Sequence, residues 1–487
     1  MKVDFLEEPE LEFGTGRHVD IRFGLMHHGP LDGASPLAPK EIKLGIVGTT
    51  ETVEGVRTWL ERCRDGIEAK KSNQPNLFPR FPGYGPDTNL RASIVMNSQL
   101  EKTILQREFD ELCKSKNPAR AVRDAVELFS HELQELKEKN VDVLMCALPM
   151  NLLNYMMDEG EVEEKKESTE GEYDEEDKDS KRKVDFHHLL KARAMMLGRP
   201  IQIILPPTYD ESKRRKQRRR KDEAKQLQDE ATRTWNIYTA LYYKAGGTPW
   251  RLVRDPSQLT VCYVGVSFYK TLDESRLLTS TAQIFNERGD GIILRGGNAR
   301  VSKDDKQIHL QQQGAYELLD KALKSYRDEH RNLPARIALY KTSGYNEEEL
   351  EGFRGALKEH RVDSVDFISM RDSFTRLFRN GRYPPLRGTF LTEDEISHVL
   401  YTRGGVDFFS TYPGMYVPRP LGFRCDDAEQ TPKFLAQEIL ALTKMNWNNT
   451  QFDNDEPITV KAARNVGDIL KYVGESDPIQ ARYSFYM

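Results

Sequence analysis

The 487-residue sequence predicts an α/β protein of two large domains. Three observations lead there. The chain is too long for one hydrophobic core, because cores stop growing near ~250–300 residues. Short apolar runs alternate with helical stretches, the order that builds parallel βαβ units. Hydrophobic residues make up 38% and charged residues 31%, a soluble globular balance, and no apolar run approaches the ~18–20 residues of a membrane span.

Residues 1–38 read as a linker-like lead-in of short extended pieces broken by Gly and Pro, ending in LMHHGPLDGASP. His27 and His28 invite a metal reading, but neighbours on a strand point opposite ways, which leaves them structural or surface roles. From Glu41 the pattern changes. KLGIVGT reads as a buried strand and Glu51 to Arg64 as a helix. ASIVMN, VDVLMCALP and PIQIILP are further strands, separated by helices such as Ala119 to Lys139. Residues 39–235 are therefore assigned to a doubly wound, Rossmann-like domain, with an acidic insert at 158–183 and a basic loop at 211–223.

Residues 236–487 form the second domain. The helix DEATRTWNIYTALYYKAGG leads into it, and its two terminal glycines fit a helix C-cap. TVCYVGVSFYKT reads as a strand, and TAQIFNERGDGIILRGG as a hairpin turning at Gly289-Asp290-Gly291, a turn rather than a phosphate loop. A helix follows from Gln311 to His330, then the strand ARIALYK and a helix from Asn346 to Glu359. Strand, hairpin, helix, strand, helix is the order of a ribonuclease-H-like fold, although order alone does not fix one.

Charge is segregated far more than the net −5 indicates. Between Asp158 and Asp179 lie 13 acidic residues against three lysines, and eight of the nine residues from Lys213 to Lys221 are Lys or Arg. Such blocks repel themselves and read as solvated loops. The acidic one also suits shielding of a basic channel, and the basic one suits contact with any phosphate backbone. The five cysteines show no CxxC spacing, and MKVDFLEEPELEF lacks the basic and apolar regions of an export signal. The expectation is a reducing cytoplasm.

FHHLLKARAMMLGRPIQII places His187 and Lys191 on one helix face, with Gln202 on the next strand. A ring that stacks on a terminal base, an ammonium and an amide together clamp a terminal phosphate. Alone the trio is equally a surface His and Lys with an ordinary strand Gln. Lys244, in YYKAGGTPW, stands beside a glycine pair that lets a phosphate approach the backbone. It also fits as a helix C-terminal lysine complementing the dipole.

YYKAGGTPW, LTKMNWNN and DEPITVKAARNVGDIL resemble the PIWI domain of prokaryotic Argonautes, and the H-x3-K-x10-Q spacing resembles the 5′-phosphate motif of their MID domain. The resemblance spans about residues 185–487. It implies a MID domain at 39–235, a PIWI domain at 236–487, and a guide 5′-phosphate pocket of His187, Lys191, Gln202 and Lys244. In some members the terminal carboxylate reaches this pocket and helps hold a divalent cation. The resemblance thus implies Mg²⁺ at the 5′ phosphate with the Met487 carboxylate as a contributor, a frayed end being the alternative.

A ribonuclease-H-type nuclease needs carboxylates converging on two metal ions. The family's first aspartate position holds Ser267, the second strand motif reads Lys341-Thr342-Ser343-Gly344, and LTKMNWNN offers Asn446 but no acid. Asparagine does not supply anionic oxygens. Asp453, Asp455 and Glu456 read as loop and cap residues. The expectation is a short, non-cleaving Argonaute, with no room for domains ahead of MID, that binds a 5′-phosphorylated guide RNA and a single-stranded DNA target. Such proteins work with a separate APAZ-containing effector carrying a sirtuin-like, TIR or nuclease domain, and destroy NAD⁺ or nucleic acid in anti-plasmid and anti-phage defence. QDEATRTWNIYTALYYKAGGTPW resembles those with a sirtuin-like partner. The alternatives are an active nuclease using Asp290, Asp453 or Asp455, and an assembly subunit with a vestigial pocket.

Overall fold

The computed structural model describes residues 1–157, 184–213, 228–254, 257, 259–285, 291–380, 384–414, 417–451, 454–474 and 476–487. The acidic insert, the basic loop beyond Lys213, the hairpin turn at Gly289-Asp290, and Asp453 lie outside the described residues. Two compact units emerge. One comprises Leu37–Lys70 and Arg80–Gly247, and the other comprises Met1–Pro36, Lys71–Pro79 and Thr248–Met487.

The N-terminal unit carries a parallel sheet in the order Ser93–Val95, Glu41–Gly48, Val143–Ala147, Ile201–Ile204, with Glu101–Thr103 also pairing with Glu41–Gly48. Val143–Ala147 is buried along its whole length, as a strand covered on both faces must be. The helices Thr50–Arg64, Pro118–Lys137 and Phe186–Ala194 belong to the same unit. This is the Rossmann-like domain expected from the apolar runs.

The helix Glu230–Lys244 also clusters with this unit, so the division falls after Gly247 rather than at 235/236. The reason is packing. Trp235 meets Phe81 edge-on at 4.9 Å and donates from Nε1 to Arg80 O at 3.1 Å, while the Tyr238 hydroxyl donates to Leu90 O at 3.1 Å. A helix apolar on several faces reads equally well as the start of one domain or the end of another.

The C-terminal unit holds a ten-stranded sheet. Its centre is Val261–Lys270, antiparallel to Leu277–Phe285 and parallel to Arg336–Lys341, which is parallel in turn to Ser364–Asp372. Leu277–Phe285 continues into Gly291–Val301. Val264 and Val266 point into a core with Leu318, Leu319, Ile337, Leu339, Phe353 and Phe367, which the helices Gln312–His330 and Glu347–His360 supply in part. On the alternate residues, Gly265 lies so close to the helix Ile458–Leu470 that a Cβ there would meet Thr459 O at 2.1 Å. The arrangement is ribonuclease-H-like, as the element order anticipated.

The first 36 residues are built into this unit rather than forming a linker-like lead-in. Lys2–Phe5 is the edge strand, antiparallel to Thr389–Thr392, and Leu11–Glu12 pairs with Arg251–Leu252. Leu6, Leu11, Phe13, Ile21 and Leu25 are buried. His27 and His28 end a helix, Ile21–His28, capped by Asp20, where the sequence suggested extended chain. Eight residues containing Gly24 carry little periodicity, and Gly24 is needed because the Phe13 ring presses where its Cβ would stand.

Candidate nucleic-acid-binding sites

The helix Phe186–Ala194 starts at Asp185, whose carboxylate accepts from His188 N at 2.8 Å. Phe186 anchors it edge-on against Phe129 at 5.9 Å, with Leu189 and Leu190 buried. With that face fixed inward, His187 and Lys191 fall one turn apart on another. His187 stays exposed while Lys191 is 4% exposed.

Gln202 comes from the strand beside Val143–Ala147, in register with Met145. Its Nε2 donates to Ile203 O at 3.0 Å and its Oε1 accepts from Lys244 Nζ at 2.6 Å. Lys244, the last residue of its helix, is 5% exposed. The helix ends as its glycines predicted. Gly246 has φ +96°, and its N and that of Gly247 donate to Tyr243 O and Tyr242 O at 2.9 and 3.0 Å.

The electrostatics of this cluster are unfavourable on their own. Burial lowers the Lys191 pKa to about 7, with Asp185 partly opposing. Burial and then the charge of Lys191 push Lys244 well below the ordinary lysine range. His187 is lowered too, by desolvation first and then by Lys191, His188 and Lys244, a shift weakened by the exposure of its ring to solvent. Two ammonium groups removed from water beside each other are stabilised by an anion. His187, Lys191, Gln202 and Lys244 are therefore brought near one another, an arrangement in which an anion would offset the two lysines.

The other singled-out positions lie in the C-terminal unit. Ser267 is 3% exposed and pairs with Ser280, whose hydroxyl donates to Ala463 O at 2.8 Å on the helix Ile458–Leu470. Thr342 N donates to Val266 O at 3.2 Å and Ser343 Oγ to Ile308 O at 2.6 Å. Their loop is fixed by Lys341, which donates to Glu349 at 2.6 Å and to Gly344 O at 2.7 Å. Asn446 accepts from Asn448 N at 3.1 Å in the turn after Pro432–Leu442. Strand pairing thus brings the Thr342 region beside Ser267, whereas Asn446 is held locally. Met487 is 4% exposed at the end of a docked tail, in which Ala481 O accepts from Ile293 N at 2.7 Å.

Sequence reasoning missed one surface. Between Ser373 and Asn380 the chain runs extended and is pinned from inside, by Thr375 to Glu393 at 2.9 Å and by Leu377 N to the Tyr401 hydroxyl at 2.6 Å. Phe374 and Phe378 point outward, 82% and 76% exposed, with Arg376 exposed between them and Arg419 over the Phe374 ring at 5.8 Å. Aromatic rings interleaved with guanidinium groups suit stacked bases and phosphates. The alternation in SFTRLFRN was the available signal. Among the described residues no helix is long and apolar enough to cross a membrane.

No protein-family model matches the chain, and no curated protein sequence matches it. Solved structures do. Over 98% of the chain it is similar to Clostridium butyricum Argonaute bound to a guide DNA and a 19-mer target DNA, with TM-score 0.66 and 14% identity, covering 53% of that protein. It is also similar to Drosophila Piwi, with TM-score 0.59 and 13% identity over 99% of the chain and 56% of Piwi. A. aeolicus Argonaute gives TM-score 0.60 and 13% identity over 99% of the chain and 55% of that protein. The fold is thus Argonaute-like, and the chain spans about half the length of these structures.

Proposed function

We propose that the chain is a guide-binding Argonaute that recognises single-stranded nucleic acid without cutting it. One observation carries the reading: Lys191 and Lys244 are both buried, the Gln202 amide bonds the second, and His187 stands exposed one helical turn before Lys191. A 5′ phosphate adds negative charge beside the two lysines, Lys191, Lys244 and Gln202 donate to its oxygens, and the first base stacks on the imidazole. The guide-bound C. butyricum structure supports this assignment to a nucleic acid. On this reading the N-terminal unit is the MID domain and the C-terminal unit the PIWI domain.

The guide is RNA and the target single-stranded DNA, as the motif resemblance implies. Base pairing carries specificity, and the protein supplies backbone and shape contacts, among them the Phe374–Phe378 surface. Mg²⁺ at the 5′ phosphate would depend on phosphate oxygens and the Met487 carboxylate. The four pocket side chains are two ammonium groups, an imidazole and an amide whose oxygen already accepts from Lys244, a poor donor set for a hard cation. No step here depends on that ion.

Lack of cleavage follows from hydroxyl and amide side chains at Ser267, Thr342, Ser343 and Asn446, where two metal ions would need carboxylates. Target recognition then acts through an APAZ-containing effector, sirtuin-like by preference and TIR or nuclease otherwise, that depletes NAD⁺ in a prokaryotic cytoplasm during defence against plasmids and phage. The experiment is to copurify the chain with its nucleic acid and neighbouring gene product, then sequence and end-type what is bound. Short 5′-phosphorylated RNAs, lost in a His187→Ala/Lys191→Ala variant, support the reading; long mixed fragments indifferent to those changes refute it.

The nuclease reading keeps one observation. Asp455 and Glu456 line a cleft of about 350 Å³ with Asp372, Arg403, Arg419 and Arg464. Discrete products from a labelled target with Mn²⁺, lost on Asp455→Asn, would replace the proposal with that one.

A further inference from the structure

At the start of the same helix lies a second cluster, which shares only His187 with the guide reading. Asp185, His187 and His188 each offer one ligand atom, and the three atoms lie within 4.8 Å of one another. Asp185 Oδ1 and His188 Nδ1 are 3.3 Å apart. Bonds of about 2.0–2.2 Å to a tetrahedral ion set neighbouring donors roughly 3.3 Å apart, so this pair already has the spacing, and the third donor lies within 4.8 Å of both.

We infer that Asp185, His187 and His188 form a transition-metal site, for Zn²⁺ or a similar borderline cation, at the lip of the pocket. The donor set decides the class of ion. Two imidazoles and one carboxylate suit Zn²⁺, Co²⁺ or Ni²⁺ and discriminate against Mg²⁺, which takes oxygen ligands. His187 is exposed, which gives an ion access, and Asp185 and His188 are fixed by the helix start they build. Coordination uses the in-plane lone pair of His187 and leaves its ring face open to a base.

The positive end of the helix and Lys191 oppose a cation here, so the open coordination position favours an anion. Where the pocket holds a 5′ phosphate, one of its oxygens is the natural fourth ligand; that part rests on the proposed function, and the metal site itself does not. A metal so placed would lock the ring plane and add positive charge at the mouth of the pocket.

Cobalt is the probe. The full chain is titrated with Co²⁺ in the absence of nucleic acid, following the visible absorption bands and bound metal by mass spectrometry. The expected result is one tightly bound equivalent that is lost in Asp185→Asn and in His188→Gln. Asparagine still caps the helix, so loss there is not loss of fold, and circular dichroism checks this.

Among the described residues the other three-residue group, His131, Glu132 and Glu135, is the control. Glu135 is already paired with Lys102, and His131→Ala is expected to leave the stoichiometry unchanged. Binding that persists in Asp185→Asn, or that vanishes in His131→Ala, overturns the proposal, as does absence of binding. Cobalt binding without any preference for 5′-phosphorylated strands would leave this site standing and refute the phosphate pocket.

Discussion

Replacing Lys191 by Met should make the protein more stable and less able to recognise a 5′ phosphate. Methionine keeps most of the apolar stem and removes only the charge. In the fold the lysine pKa falls from 10.5 to about 7, and each pH unit of that interval is worth 1.36 kcal/mol. The charged form therefore costs on the order of 4–5 kcal/mol as an upper value. The sign follows from the direction of the shift. A base held below its ordinary pKa is disfavoured in the fold wherever the unfolded chain would take up a proton. The advantage of Lys191→Met is thus nil above about pH 10.5, grows as the pH falls, and is complete near pH 7 and below.

Thermal unfolding of both proteins across pH 6–10 reads this out, and a rise of several degrees at pH 7 that fades towards pH 10 is expected. The same variant should lose roughly 10–100-fold in preference for a 5′-phosphorylated over a 5′-hydroxyl strand, the loss of a charge-assisted hydrogen bond. The parent's affinity should itself decline above pH 7, because binding then requires proton uptake. A variant with unchanged or lower stability, independent of pH, would refute the idea that this lysine is held at a cost for an anion.

Four further expectations follow from the same kind of reasoning. Lys244→Met should act like Lys191→Met on phosphate preference, and the double variant should be less than additive because Lys191 lowers Lys244 directly, as measured by competition binding. Phe374→Ala with Phe378→Ala should weaken single-strand binding by about 1–3 kcal/mol per stacked base without altering 5′-phosphate preference; fluorescence anisotropy with the two end types separates these effects. His398 is 1% exposed between Phe390 and Phe423, at 5.6 and 5.2 Å, with neither ring nitrogen hydrogen-bonded. Burial lowers its pKa, so its stability is kept above pH 6.5 and lost below, and His398→Leu should gain roughly 1–3 kcal/mol, most of all near pH 5, in denaturant melts. Glu8 accepts from Lys444 at 3.0 Å and from Arg387 at 2.9 Å; Glu8→Gln should cost about 3–5 kcal/mol by stranding two buried cations, visible as a lowered unfolding midpoint.

The strands of the N-terminal unit were legible because parallel strands covered on both faces are written as continuous apolar runs, as Val143–Ala147 is. His187 and Lys191 were legible as a helical i,i+4 pair. The bond from Lys244 to Gln202 was not, since 42 residues separate them and no local pattern encodes their meeting; only family resemblance suggested it. Asp185 and His188 were passed over because a cap and an adjacent histidine look like helix grammar. The lead-in was misread for a different reason. Its scattered apolar residues become buried only against strands contributed from beyond residue 250, and periodicity reports a segment's own faces, not the surfaces waiting for it elsewhere.

Lys444 Nζ bonds Glu8, Pro9 O and Val19 O, at 3.0, 2.5 and 2.6 Å, across more than 420 residues of sequence. During synthesis the segment that neutralises Lys444 leaves the ribosome more than 420 residues before its partner exists. The N-terminal unit, which ends at Gly247, is synthesised in full meanwhile and has time to fold. Cutting the gene at residue 248 to obtain the second unit alone would therefore yield a protein with an uncompensated charge in its interior, whereas residues 1–36 supplied as a separate peptide should restore it. What looks like a dispensable leader behaves as the closing piece of the last domain to form.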